Sequence, residues 1–233
     1  MEQIETDVDG TGPLAAVLKE ALAAARAYQG KIGQDALQIQ GMSGKKFRFF
    51  INNLVEKIDA PRYLEVGSWK GSTFCSAIHK NTVTAVAIDN WTQFDGPIGE
   101  FFLNVSKHCS LQTKISILTT DFRAVNFALL GSFNIYFFDG PHSEQDQYDG
   151  VALALDALDD EFILIVDDWN WERVRVGTGR AIKELGLEIL HQTTIRSAPD
   201  GVKPAVRFGR SDWHNGYFLS VMRKPARLRR LAA

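Results

Sequence analysis

From residue 61 onward, short apolar runs alternate with helix-length amphipathic stretches. Residues 63–66, 84–88, 115–118, 135–138 and 162–166 are strand-sized, and residues 73–79, 143–158 and 173–185 carry helical spacing between them. Such alternation predicts a parallel sheet with helices on both faces. Near the end the rule breaks. Residues 187–195 and 217–222 are two further strand-like runs with only a Gly-, Pro- and Arg-containing loop between them, and strands joined without a crossover helix pair antiparallel. The expectation is an α/β, doubly wound, mostly parallel seven-stranded sheet that closes on an antiparallel pair.

Upstream, residues 14–28 are alanine-rich, hold no internal Gly or Pro and follow Pro13, which predicts a helix. Phe47, Phe50, Ile51, Leu54, Val55 and Ile58 recur at helical spacing and stop before Pro61, a second amphipathic helix over 45–58. The Gly- and Gln-rich stretch 30–44 between them reads as a loop or a lid. Two domains are therefore expected: residues 1–60 as an N-terminal helical cap or lid, and 61–233 as a sheet domain.

Composition narrows the class. The 233 residues are 45% hydrophobic and carry 26 basic against 28 acidic side chains, a net charge of -2. One core suits that length, and the lack of basic excess argues against a nucleic-acid partner. No apolar run approaches the ~20 residues that cross a bilayer, so no membrane partner is expected. The first ten residues are acidic and lack the apolar region of a secretory signal. Cys75 and Cys109 make neither a disulfide framework nor a metal spacing, which fits a reducing cytoplasm. Residues 223–233 hold five basic groups and no acid, a solvated tail or an anion-binding arm.

Chemistry gathers where the strands end. The first strand runs through Glu65 and Val66 into Gly67-Ser68-Trp69-Lys70-Gly71-Ser72-Thr73, a glycine turn leading directly into a helix. Such a turn lets a ligand approach backbone and helix N-terminus. Trp69 stands where a dinucleotide fingerprint requires its second glycine, which disfavours a nicotinamide-dependent oxidoreductase. Asp89, ending the second strand, sits where doubly wound folds place an acid on ribose hydroxyls; an acid there also serves as a helix cap. Asp139 ends one strand, and Asp167 with Asp168 ends the next. If those strands are neighbours, three carboxylates meet at one rim, where like charges call for a cation or a raised pKa. Magnesium, a hard ion with oxygen ligands, meets that need; otherwise Asp167 or Asp168 caps the following helix.

Together, Glu65-Val66-Gly67-Ser68-Trp69-Lys70-Gly71, Ile88-Asp89, Thr120-Asp121, Phe138-Asp139-Gly140-Pro141-His142 and the terminal antiparallel pair resemble a class I S-adenosylmethionine-dependent methyltransferase. Among these the chain is most similar to small metal-dependent O-methyltransferases, the catechol type and the type that methylates macrolide sugars, over roughly residues 61–224. The resemblance implies a Rossmann-like methyltransferase fold in which Glu65, Gly67, Ser68, Gly71 and Thr73 hold the methionine part of the cofactor. It puts Asp89 on the ribose and Thr120 and Asp121 at adenine. Asp139, Asp167 and Asp168 match the metal ligands, with Asp139 also at the cofactor. Asp168 replaces an asparagine of the catechol type, a departure shared with the sugar-methylating branch. His142 occupies the place of the catechol type's lysine base, and His142 and Asp139 are the expected catalytic pair.

Methyl transfer from a sulfonium is an in-line displacement that rewards alignment, and imidazole is a competent base near neutrality. The implied enzyme is a cytoplasmic, magnesium-assisted O-methyltransferase acting on a small hydroxylated molecule such as a sugar or a polyhydroxylated natural product. A binding module that keeps the nucleoside pocket without turnover is the non-enzymatic alternative. Trp91, Trp169, Trp171, Arg207, Arg210, Trp213 and His214 are candidates for shaping the acceptor pocket, or for packing, and the helix over 14–28 is the candidate surface for a homo-oligomer.

Overall fold

The computed structural model describes residues 2–200, 202, 204 and 211–228. In chain order they form β1 (Gln3–Val8), α1 (Pro13–Arg26), α2 (Gln34–Leu37), α3 (Lys45–Lys57), β2 (Arg62–Val66), α4 (Ser72–Ile78), β3 (Val83–Asp89), α5 (Ile98–His108), β4 (Thr113–Thr119), β5 (Phe133–Phe138), α6 (Glu144–Ala154), β6 (Leu158–Val166), α7 (Glu172–Leu185), β7 (Glu188–Arg196) and β8 (Tyr217–Arg223). The strands make one sheet in the order β1-β7-β8-β6-β5-β2-β3-β4. Strands β2 to β6 pair parallel, and β8 runs antiparallel between β6 and β7, the antiparallel closure expected from sequence.

The period of two in the strands sorts their side chains into two cores. Tyr63, Ile135, Phe137, Ile163 and Ile165 face the layer formed by α1, α3, α4 and α5. Their neighbours Leu64, Val66, Tyr136, Phe138, Leu164 and Val166 face α6 and α7. Both faces of β5 are covered and all six of its residues are buried, which is why its sequence reads as a continuous apolar run.

Three elements differ from the sequence expectation. An eighth strand, β1, pairs antiparallel with β7 at the sheet edge, Ile4 opposite Ile195. With only two apolar residues in six, it carries no strand signal of its own. α5, unassigned from sequence, links β3 to β4 and buries Phe101, Val105 and His108. The helix expected over 143–158 ends at Ala154, and after one 3-10 turn β6 begins at Leu158. α6 starts where a capping box dictates, with Ser143 and Asp146 each accepting from the other's backbone amide at 3.1 Å.

Residues 1–60, expected as a helical cap or lid, supply the strand β1 and the helices α1, α2 and α3, which pack into the same core. α1 turns Leu18, Ala21 and Ala25 into that core, so its apolar face is spent inside the chain. From α3, Phe47 stacks on Tyr217 at 3.7 Å and 4°. The stretch 30–44, expected as a loop or a lid, carries the short helix α2 and packs on α3. Arg48 of α3, only 1% exposed, donates to the carbonyls of Leu37 and Ile39 at 3.0 and 2.7 Å and to Ser43 Oγ at 2.9 Å. Among the described residues, no helix is long and apolar enough to cross a membrane.

Candidate active site at the strand ends

The turn after β2 depends on Gly67. Its φ is +88°, and a Cβ there would lie 1.9 Å from the Asp139 carbonyl oxygen. Only glycine permits that backbone approach. The Gly67 amide donates to Ile88 O, and the Asp139 amide to Val66 O, both at 2.9 Å, which lashes the ends of β2, β3 and β5 together.

Asp89 braces the same turn. One carboxylate oxygen accepts the amides of Ser68 and Trp69 at 2.9 and 2.8 Å, and the other accepts the amide of Trp91 at 2.7 Å.

A cavity of about 360 Å³ opens above these ends, the place where open α/β sheets bind ligands. The turn contributes Gly67 and Trp69, β3 and its loop Asp89, Asn90, Trp91 and Phe94, the segment after β4 Thr120 and Asp121, and the ends of β5 and β6 Asp139, His142, Asp167, Asp168 and Trp171. Gly67, Asp89, Thr120, Asp121 and Asp139, all expected at the cofactor, thus border one cavity. Glu65, Ser68, Gly71 and Thr73 lie outside the lining and build its frame. Glu65 is fully buried and accepts the Tyr63 hydroxyl; burial pushes its carboxyl up to about 8, against the lowering pull of that hydroxyl. The Gly71 amide closes the turn on Ser68 O at 2.7 Å, and Thr73 is buried in the first turn of α4. Asp121 is partly engaged, accepting the Arg123 amide and guanidinium at 2.9 and 3.1 Å.

The adjacency of β5 and β6 brings the acids together. Asp139 and Asp167 follow the paired residues Phe138 and Val166. Burial, then the charges of Asp167 and Asp168, drive the Asp139 carboxyl well above the ordinary carboxylate range. Burial and Asp168 do the same to Asp167. Asp168 goes the other way. Burial works to raise it, but His142 Nε2 at 2.6 Å and the Asn215 amide, which donates to Oδ1, hold it below its ordinary value. His142 also meets Trp171 edge-on, 4.8 Å between centroids at 72°.

Donor atoms of Asp139, His142 and Asp168 all lie within 4.8 Å of one another. Asp167 is outside that set, its Oδ1 accepting the Asp168 amide at 2.7 Å. His142 thus joins Asp139 and Asp168 in that set, while the Asp167 carboxyl stays beside Asp139. Carboxylates at that spacing fit a small divalent ion of the magnesium class, whose bonds to oxygen run about 2.0–2.1 Å, and an ion would relieve the mutual repulsion of the buried acids.

Of the other rim candidates, Trp91, Trp171 and His214 border the cavity. Trp169 packs on Phe218 at 4.6 Å and Trp213 is 1% exposed beside Tyr217, so both serve the core. Arg207 and Arg210 lie outside the described residues. Met42, Gln93, Phe94 and Asn215 border the cavity without having been anticipated. Asn215 follows the rim candidate His214 directly in sequence, the signal that would have found it.

Residues 64–169 match the model of a family described as a methyltransferase domain. The solved O-methyltransferase from Bacillus cereus in complex with SAH superposes with a TM-score of 0.54 at 13% identity, covering 89% of this chain and 91% of its own. A proposed RNA methyltransferase from Pyrococcus horikoshii gives 0.51 at 13% identity, covering 89% of this chain and 97% of its own. TrmN from Thermus thermophilus gives 0.52 at 16% identity over 77% of this chain, which spans about half (48%) of TrmN's length. At these identities the likeness is one of fold. No curated protein matches the sequence. Residues 64–169 thus match a methyltransferase domain, and they sit on a Rossmann-like fold shared with solved methyltransferases.

Proposed function

We propose that the protein is an O-methyltransferase that transfers a methyl group to a hydroxyl of a small polyhydroxylated molecule, such as a sugar or a glycosylated natural product, with the help of a divalent ion of the magnesium class. The observation that carries the reading is the convergence of Asp139, Asp168 and His142 at the mouth of a cavity that the Gly67 turn and Asp89 also line. In this reading the turn and Thr120 seat the cofactor, with Asp89 both bracing the turn and facing the ribose. Asp139 and Asp168 hold the ion, with Asp167 behind them.

A bound divalent ion supplies charge stabilisation for the oxygen that loses its proton. His142 takes that proton, and the imidazolium so formed faces the Asp168 carboxylate at 2.6 Å, the arrangement by which a carboxylate orients and stabilises a histidine base. Asn215 keeps Asp168 turned toward it. A cavity of about 360 Å³ and a net charge of -2 favour a small acceptor over a nucleic acid.

The test is a panel of hydroxylated acceptors incubated with S-adenosylmethionine and scored for S-adenosylhomocysteine by mass spectrometry. Turnover is expected to fall at least ~100-fold with a chelator, with Asp139→Ala and with Asp168→Asn, the scale on which general acid–base or ion assistance operates. His142→Ala is expected to lose rate while keeping the ion, and to regain part of it with added imidazole. Turnover indifferent to chelator and to both aspartate changes would refute the ion-assisted reading.

A further inference from the structure

Away from the cavity, Asp35, His79 and His108 form the one other convergence of three His, Cys, Asp or Glu donors among the described residues. They come from three elements, Asp35 from the first turn of α2, His79 from the end of α4 and His108 from the end of α5. The two histidines are 6% and 7% exposed, and their Nδ1 atoms stand 3.1 Å apart with the rings at 64°. The Asp35 carboxylate covers the pair from the solvent side, Oδ1 at 3.9 Å from His79 Nε2 and Oδ2 at 3.8 Å from His108 Nδ1.

We propose that Asp35, His79 and His108 bind a zinc-class divalent transition-metal ion that staples the 33–42 loop to α4 and α5. Bonds of about 2.0–2.1 Å to imidazole nitrogen and carboxylate oxygen in tetrahedral geometry put donors about 3.3 Å apart; one donor atom from each of the three residues lies within 4.8 Å of the others, and His79 Nε2 and His108 Nδ1 stand 3.9 and 3.8 Å from the Asp35 oxygens. Two imidazoles with one carboxylate select a borderline ion such as zinc over magnesium, which prefers an all-oxygen shell. Three protein donors leave a fourth position, and Asp35, with its side chain 67% exposed, leaves it open to water.

Two observations make this more than a pair of packed histidines. His79 Nε2 is buried with no hydrogen-bond partner, a cost of about 1–3 kcal/mol for a polar group that ligation removes. Gly33 has an ordinary φ of -80°, so its backbone does not call for glycine. A Cβ there would nonetheless lie 2.2 Å from Asp35 Oδ1 and 3.0 Å from His79 Nε2. The absence of a side chain at 33 is what lets the carboxylate approach the imidazoles. Burial lowers the proton affinity of both histidines, against the pull of Asp35 and with help from neighbouring lysines, which keeps them in the neutral, ligating form.

The ion would act on the shape of the methyltransferase site from a distance. α4 opens at the glycine turn, and the stapled loop runs on to Met42 at the cavity wall. The proposal does not depend on the acceptor or on the ion at the acids.

Tag-free, metal-stripped full-length protein titrated with zinc by calorimetry, in excess magnesium, is expected to take up one equivalent that Asp35→Ala and His108→Gln each weaken by at least about 10-fold, the loss that removing even an outer-shell partner brings. Cobalt in place of zinc should give visible d–d bands of tetrahedral strength in the wild type and in Asp168→Asn. Asp35 is exposed, so Asp35→Ala keeps the fold and a far-ultraviolet spectrum checks it. Zinc uptake that Asp35→Ala and His108→Gln leave untouched, uptake abolished by Asp168→Asn instead, or no uptake at all would overturn the assignment.

Discussion

Glu65 lies under the glycine turn with no exposure, its Oε2 receiving the Tyr63 hydroxyl and its Oε1 without a partner. Burial lifts its carboxyl from an ordinary 4.5 to about 8, which makes it a pH-dependent weight on the fold. Between those values the folded chain keeps a proton that the unfolded chain has released, so stability falls as pH rises through the window and levels off above about 8. The stabilising contribution of the neutral acid is complete below 4.5 and lost through 8. A displacement of that size corresponds to about 5 kcal/mol at its full extent. Glu65→Gln keeps the shape and an acceptor for Tyr63 but cannot ionise. Urea unfolding of both proteins at half-unit steps from pH 5 to 9 isolates the residue, because the other buried acids are common to the pair. The variant's advantage should grow by about 1.4 kcal/mol per pH unit across most of the window and then stop growing. Stability profiles that run parallel would refute the buried-neutral account and leave Glu65 ionised against some unseen charge.

Two further changes follow from packing. Gly67→Ala forces a Cβ to within 1.9 Å of Asp139 O at a φ of +88°; left-handed strain and overpacking together should destabilise by about 3 kcal/mol. S-adenosylhomocysteine affinity by calorimetry should fall at least ~10-fold, and wild-type affinity would sink the account. Arg48→Met leaves the buried carbonyls of Leu37 and Ile39 without their donor, at about 1–3 kcal/mol each. An unfolding free energy from urea titration lowered by less than about 1 kcal/mol would show that the 37–43 loop does not rest on that guanidinium.

What the sequence made legible was whatever a local period or a local run could encode. The strands β2 to β8 announce themselves because burial on one or both faces imposes alternation or continuity, and the antiparallel closure follows from a final connection that carries no helical pattern in its sequence. β1 was hidden because it is an edge strand whose partner lies more than 180 residues away and whose exposed face is polar. The candidate site divides the same way. Asp89, Asp139, Asp167 and Asp168 were visible as acids at strand ends. Glu65, Ser68, Gly71 and Thr73 belong to the same motif but frame the cavity, and no spacing distinguishes a residue that faces a ligand from one that holds up the residue that does. Nor does spacing tell how the carboxylates are turned: one Asp167 oxygen takes the amide of its own neighbour, and Asp168 points at His142 from a left-handed φ of 57°.

That left-handed φ belongs to a wider distribution of strain. Nine described non-glycine residues adopt positive φ, and Trp69, Trp91, Phe94, Asp168 and His214, five of the nine, border the cavity. Each such residue costs about 1–3 kcal/mol and persists only where its surroundings over-determine it. Here the surroundings can be named. Asp89 accepts the amides of both Trp69 and Trp91, and the Trp91 indole donates to Trp69 O at 2.7 Å. Asn215 and His142 fix the Asp168 carboxylate. The two cores behind the sheet supply the stability against which that strain is held, so the rim arrives preorganised. Local rules of turn and propensity fail where the chain does its chemistry, which is the pattern expected of a sequence whose remaining levels agree.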